Sequence, residues 1–120
     1  MPFVDPSELE PHAIRPGWTA RFFHSEHMTF AYYEIAAGAA VHRHSHANEE
    51  VWHVLDGQLE VALGDATRLL RAGEAAIVPA GMEHALSAPG PCRAIVVDSP
   101  VRERVGGVAT RPRRPSRGSA

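Results

Sequence analysis

The sequence predicts an all-β domain, an antiparallel sandwich or barrel, and three observations carry that expectation. Short segments at 28–35, 51–55, 58–63, 66–71, 75–79 and 93–98 are rich in β-branched or aromatic residues. Turn signals at Gly38, Gly57, Gly64, Gly73 and Pro79-Ala80-Gly81 separate them at close spacing. No segment longer than about ten residues shows a helical period.

Taken in order, 28–35 (MTFAYYEI) carries Phe30, Tyr32 and Tyr33 in alternation, so some of these rings line the interior. Register decides which; Tyr32 is taken here as a pocket residue. Segments 51–55 (VWHVL) and 58–63 (QLEVAL) flank Asp56-Gly57, which reads as a two-residue hairpin turn of type I′, a turn that needs positive φ at both residues. Within QLEVAL, Leu59, Val61 and Leu63 alternate with Gln58, Glu60 and Ala62, giving one buried and one wetter face. Gly64-Asp65 repeats the turn signal, as type II′, before 66–71; 75–79 then ends in the Pro-Ala-Gly turn, and 93–98 (RAIVVD) closes the set.

The chain has 120 residues and a mass of 13.0 kDa, one domain's worth, which excludes a two-domain enzyme. A hydrophobic fraction of 44% and a charged fraction of 22% match ordinary globular domains. No apolar run approaches the ~18 residues of a membrane helix, and the stretch from Ile35 to Val41 is broken by Gly38. The opening MPFVDPSELE has neither a basic nor an apolar leader region, and a lone Cys92 forms no internal disulfide; a reducing, cytoplasmic home is expected. All twelve basic residues are Arg, which reflects codon bias rather than function. Residues 1–100 hold six Arg against thirteen acids, net −7, whereas 101–120 hold six Arg against Glu103, net +5. From Gly106 the sequence GGVATRPRRPSRGSA has no periodic apolar residues, so a barrel over 1–105 and a disordered basic tail over 106–120 are expected. That tail lacks interleaved aromatics and no helix-turn-helix pattern is visible, which argues against nucleic acid as a partner.

Eight His in 120 residues is the chemical signal. In the stretch from Gly38 to Gly57, His44 and His46 stand two apart, so on an extended strand they project from one face about 6.6 Å apart and can converge on one ion. Glu50, beyond a short bend, can add an oxygen from the same side. A mixed nitrogen and oxygen set suits a divalent iron, manganese, nickel, copper or zinc ion. The stretch from Gly73 to His84 supplies a further ligand, His84, after the Pro79-x-Gly81 turn.

These two stretches resemble the motifs of the cupin superfamily, G-x5-H-x-H-x3-4-E-x6-G and G-x5-P-x-G-x2-H-x3-N. Gly38, His44, His46, Glu50 and Gly57 match every spacer of the first, and Gly73, Pro79, Gly81 and His84 match the second, where Ala88 replaces the final Asn. The 15 residues between Gly57 and Gly73 resemble the spacing of small single-domain bacterial cupins. The resemblance covers about residues 28–98 and implies a double-sheet jelly-roll barrel with one divalent transition metal held by His44, His46, Glu50 and His84. Pairing His42 with His44 instead would use Glu49, put Ala36 in a Gly position and leave seven residues before Gly57, so that register fails. His42, on the face of His44, is then either a residue able to orient a ligand or to exchange protons with substrate, and so a candidate catalytic residue, or a polar side chain at a solvated strand end.

Trp52 shares the face of Glu50 and, with Met82 beside the Pro-x-Gly turn, is assigned to the substrate pocket; core packing is an equal reading for Trp52. His53 faces the opposite way, His12, His24 and His27 have no motif support, and Cys92 reads as an inert buried thiol. The resemblance implies a dioxygenase-type enzyme for a small chelating enol, diketone or phenol-like substrate. Its alternatives are a metal-dependent isomerase, epimerase or cyclase with His42 or Glu49 as proton shuttle, and a non-catalytic ligand-binding or sensing module. An open sheet edge would be a liability, so a homodimer is expected.

Overall fold

The computed structural model of the chain describes residues 3–112. A 3-10 turn at Pro6–Glu8, capped by the Asp5 carboxylate, precedes β1 (His12–Arg15), β2 (Trp18–His24), β3 (Thr29–Ile35), β4 (Ala40–His44), β5 (Glu49–Asp56) and β6 (Gln58–Leu63). There follow β7 (Ala66–Arg71), β8 (Ala75–Val78), β9 (His84–Ser87), β10 (Cys92–Ser99), β11 (Arg104–Val105) and β12 (Val108–Ala109). Among the described residues no helix is long and apolar enough to cross a membrane.

The strands form a six-stranded sheet, β1-β2-β3-β10-β5-β8, facing a four-stranded sheet, β4-β9-β6-β7, with β11-β12 as a separate ribbon. All pairings are antiparallel. From β3 onward the chain passes repeatedly between the two sheets, the double-sheet jelly roll the motifs imply. Alternation selects the inward faces: Trp18, Ala20 and Phe22 on β2, Ala31, Tyr33 and Ile35 on β3, Trp52 and Val54 on β5, and Ala94 and Val96 on β10 are buried. Each large apolar side chain so buried contributes about 1.5–3 kcal/mol. The aromatic centre is ordered by geometry as well as area, since Trp52 stacks on Tyr33 with centroids 5.6 Å apart while Trp18 stands edge-on to both.

The strand expected at 28–35 begins at Thr29 and the one at 75–79 ends at Val78. Asp56-Gly57 is not a hairpin turn: β5 pairs with β8 and β10, β6 with β7 and β9, so this dipeptide is a corner between sheets. Only Gly57 has positive φ, +77°, and its Cα faces the Pro91 carbonyl so closely that an added Cβ would run into that oxygen. Gly64-Asp65 does close a hairpin, pairing Leu63 with Ala66.

The expected tail boundary at residue 106 is also corrected. Gly106 and Gly107 form the turn of the β11-β12 ribbon, and Thr110 is 4% exposed, its hydroxyl donating to the Arg102 carbonyl at 2.6 Å. The Thr110 carbonyl pairs with the His24 ring at 3.0 Å. Polar contacts and the packing of Val105 and Val108 on the core hold this segment, and neither leaves a periodic pattern for composition to show. The remainder of the expected tail, 113–120, lies outside the described residues.

Candidate metal centre

His44 is the last residue of β4 and His84 the first of β9, and the two are direct cross-strand partners with ring centroids 4.2 Å apart. His46 lies beyond the end of β4, so a bend rather than strand alternation brings it to the others. The Gly81 N–H, in the Pro79-Ala80-Gly81 turn at φ +78°, donates to the His46 carbonyl at 2.8 Å and ties the two motif stretches together. One ligand nitrogen from each of His44, His46 and His84 lies within 4.8 Å of the other two. Glu50, on β5 of the opposite sheet, reaches this cluster with Oε2 3.0 Å from His46 Nε2 and Oε1 3.3 Å from His84 Nε2.

Backbone carbonyls set the imidazole tautomers. His44 Nδ1 sits 2.8 Å from the His42 carbonyl and His84 Nδ1 2.9 Å from the Met82 carbonyl. A carbonyl only accepts, so each Nδ1 carries the proton and each Nε2 keeps its lone pair, the form that binds a cation. His46 Nε2 and His84 Nε2 are buried without a well-aligned hydrogen bond, although both approach Glu50. Lone pairs gathered at one point, aligned with no donor, beside an anionic oxygen are the donor set of a divalent transition metal, and the residues fit that group. Burial, the largest influence on His44, lowers its proton affinity and keeps it neutral. Burial acts the same way on His84, but the Glu50 and Met82 contacts outweigh it and raise its pKa.

Glu50 is 2% exposed and is held by two residues the sequence reading did not place at the site, Arg102 and Asp98, and by Trp52. The Trp52 indole N–H donates to Oε1 at 2.9 Å and Arg102 Nη1 donates to Oε2 at 2.9 Å. Burial is the largest single influence and opposes ionisation, yet the close approach of His46, His84 and Asp98 and the Trp52 indole N–H together hold Glu50 well below the usual carboxylate range. Asp98 stands opposite Glu50 in the β10-β5 register and joins His46 and Glu50 in a second cluster of potential ligands. Burial first, then the Glu50 charge, pushes its carboxyl up to about 8, against the pull of Arg102 3.7 Å away. Asp98 therefore holds its proton to higher pH than an ordinary aspartate does. Register with Glu50 was the signal for Asp98; Arg102 had none, because it lies beyond the motif-bearing strands.

The other expected residues divide. Trp52 lines the cavity beside His44 and serves Glu50 as well as the core. Tyr32 does not: on β3 it is Tyr33 that faces inward and lines the cavity, while Tyr32 points outward, 6.0 Å from the Phe23 ring. Met82 is 38% exposed and its side chain is absent from the cavity wall; its contribution is the backbone carbonyl that orients His84. His42 is exposed and likewise orients His44 through its carbonyl, with the rings 6.1 Å apart. His53 is exposed on the opposite face of β5, and His24 pairs with Thr29 and Thr110 far from the cluster in role. Cys92 is buried, and that burial raises its pKa.

The cavity at the cluster has a volume of about 30 Å³ and is bounded by Arg15, Trp18, Tyr33, His44, Glu50 and Arg102 among others. A larger cleft of about 480 Å³ between β6, β7 and β8 holds none of the histidines; its charged groups, Arg68 and Glu74, pair with each other at 3.1 Å. Chemistry, not size, selects the smaller one.

Comparison with known proteins agrees with this geometry. The family description "Cupin domain" matches residues 31–98. The chain is 31% identical over 78 residues to the uncharacterized protein SCO3923 of Streptomyces coelicolor, covering 64% of this chain and 74% of that one. It is 40% identical over 53 residues to mannose-1-phosphate guanylyltransferase 2 of Escherichia coli O157:H7, a match covering 44% of this chain and only 11% of that protein. Among solved structures, an RmlC-like cupin from Shewanella frigidimarina superposes with a TM-score of 0.81 at 23% identity, covering 86% of this chain and 94% of the other. KdgF from Halomonas sp. gives 0.79 at 25% identity, with coverage of 83% and 95%. Oxalate decarboxylase of Bacillus subtilis gives 0.73 at 18% identity, covering 81% of this chain and 29% of that one, a likeness of fold. With both histidine motifs, the jelly roll and the family match coinciding on the same strands, the chain belongs to the cupin family.

Proposed function

We propose that this chain is a metal-dependent enzyme of non-haem dioxygenase type, with one divalent transition ion held by His44, His46, Glu50 and His84 and a small chelating substrate such as an enol, diketone or phenol. The observation that supports it most is the convergence of three imidazole nitrogens within 4.8 Å beside the Glu50 carboxylate. Bound there, such an ion supplies Lewis acidity and, when redox-active, electron exchange with dioxygen. The chain's own groups do the rest. The His42 and Met82 carbonyls fix two imidazole tautomers, Trp52 and Arg102 hold Glu50 ionised and aimed, and the apolar walls of Val41, Leu86 and Val105 exclude water. A cavity of about 30 Å³ admits the reacting end of a substrate rather than a bulky whole.

A second reading is a metal-dependent isomerase, epimerase or cyclase; Tyr33 bounds the cavity, and its burial and the Glu50 charge hold its phenol protonated, a hydrogen-bond donor rather than a proton shuttle. Metal analysis followed by an oxygen-electrode screen of small enols, diketones and phenols tests the proposal: uptake of dioxygen supports it, and turnover without uptake sinks it in favour of the second reading. The same proposal places the protein in a reducing, cytoplasmic setting, where buried Cys92 stays a thiol, and as a homodimer joined through sheet edges; Ile77, 63% exposed on edge strand β8, is the kind of residue such an edge presents. Sedimentation at micromolar concentration checks the dimer.

A further inference from the structure

The wall of the cavity opposite the histidines carries an unused cation. β1 and β2 pair in register at Ala13 and Thr19, and again at Arg15 and Trp18, with an irregularity between Ala13 and Arg15. In a regular strand Ile14 and Arg15 would point to opposite faces. Here both bound the same cavity, so the bulge turns the Arg15 side chain inward. Its Nε is buried and has no hydrogen-bond partner, and among the described residues no ion pair joins Arg15 to a carboxylate. Arg102, the other guanidinium in the wall, is engaged by Glu50 at 2.9 Å. Trp18, 1% exposed, also bounds the cavity, and its indole Nε1 is buried without a partner while its ring stands edge-on to Tyr33 and Trp52.

A buried guanidinium atom with no acceptor is costly unless something anionic meets it. A guanidinium edge matches a planar carboxylate with two parallel N–H donors. We infer that Arg15, aimed inward by the β1 bulge, is the anchor for a carboxylate on the substrate, so that the ligand of this site is a small organic acid whose remaining oxygens face the histidine cluster. This inference deepens the proposed function and rests on it for the second half of that statement only; the Arg15 contact is a property of the chain.

The test is calorimetric titration of malonate, malonamide and inorganic phosphate into the full chain, both Zn²⁺-loaded and chelator-treated, for the unsubstituted protein, Arg15→Met and Arg15→Lys. Malonate should bind at least about tenfold tighter than neutral malonamide and tighter than phosphate. Arg15→Met should weaken malonate by ~10–100-fold, the worth of a hydrogen bond to a charged group, with Zn²⁺ content unchanged and Arg15→Lys in between. Equal affinity for malonate and malonamide, or equal binding of malonate by Arg15→Met, overturns the inference; phosphate binding as tightly as malonate overturns the carboxylate assignment. Should Arg15→Met not fold, the ligand comparison on the unsubstituted protein and on Arg15→Lys decides. If the chain takes up no metal, the proposed function fails, while Arg15-dependent malonate binding by chelator-treated protein still decides this inference.

Discussion

Trp52→Phe isolates the hydrogen bond that aims Glu50. Phenylalanine keeps an aromatic face for the stack on Tyr33 at 5.6 Å and removes the indole N–H that donates to Glu50 Oε1 at 2.9 Å. A buried hydrogen bond to a charged group contributes ~1.5–3 kcal/mol. The lost ring volume adds about 1 kcal/mol. Urea unfolding of chelator-treated protein at neutral pH should therefore show a loss of ~2–4 kcal/mol. The bond favours ionised Glu50, whose folded-state pKa lies below its ordinary 4.5, so its contribution is present above that value and disappears as pH falls through the lower folded-state value. The gap between the two proteins should narrow accordingly in acid. Metal affinity, read by competition with a chromophoric chelator, should drop ~10–100-fold, as for other residues that orient a ligand. A Trp52→Phe protein with unchanged metal affinity and a pH-independent stability loss would refute the role given to Trp52 and leave it a packing residue only.

Asp98→Asn should flatten the pH dependence of stability in chelator-treated protein: the folded pKa is raised from 3.8 to about 8, so the stability associated with protonated Asp98 is complete below 3.8 and lost as pH rises through about 8. Melting curves that stay parallel across that window contradict it. Ending the chain after Val105, harmless if the tail began at 106, should lower the melting temperature measurably, because Thr110 and its contacts to Arg102 and His24 go with it; circular dichroism melts decide. Gly57→Ala should cost at least about 2 kcal/mol in urea unfolding, from the positive φ and from the Cβ driven onto the Pro91 carbonyl, and a near-neutral effect would mean that the corner can open.

Much of the site was legible because its ligands are bound to chain geometry by short spacers. Gly81 must take positive φ for the turn to return, the turn's N–H grips the His46 carbonyl, and His84 follows three residues later at the start of β9. The strands with strong apolar alternation, β3, β5, β6 and β10, were legible too. Three kinds of feature were not. β4 (AVHRH) and β9 (HALS) are short and partly polar, with no alternation to detect, although they carry the ligands themselves. Asp56-Gly57 has the composition of a hairpin turn and the environment of a sheet-to-sheet corner, a difference made by Pro91, 34 positions away. Tyr32 and Tyr33 are adjacent, so a one-residue uncertainty in register exchanges inside for outside. Arg15 and Arg102 reach the cavity through a bulge and a returning C-terminal segment, neither of which leaves a local pattern.

The central claim is that His44, His46, Glu50 and His84 share one cation. Elemental analysis of tag-free protein tests it directly: close to one equivalent of a divalent transition metal per chain in the unsubstituted protein and in His53→Ala, and little or none in His44→Ala and His84→Ala. Equal metal content in all four proteins would contradict the account.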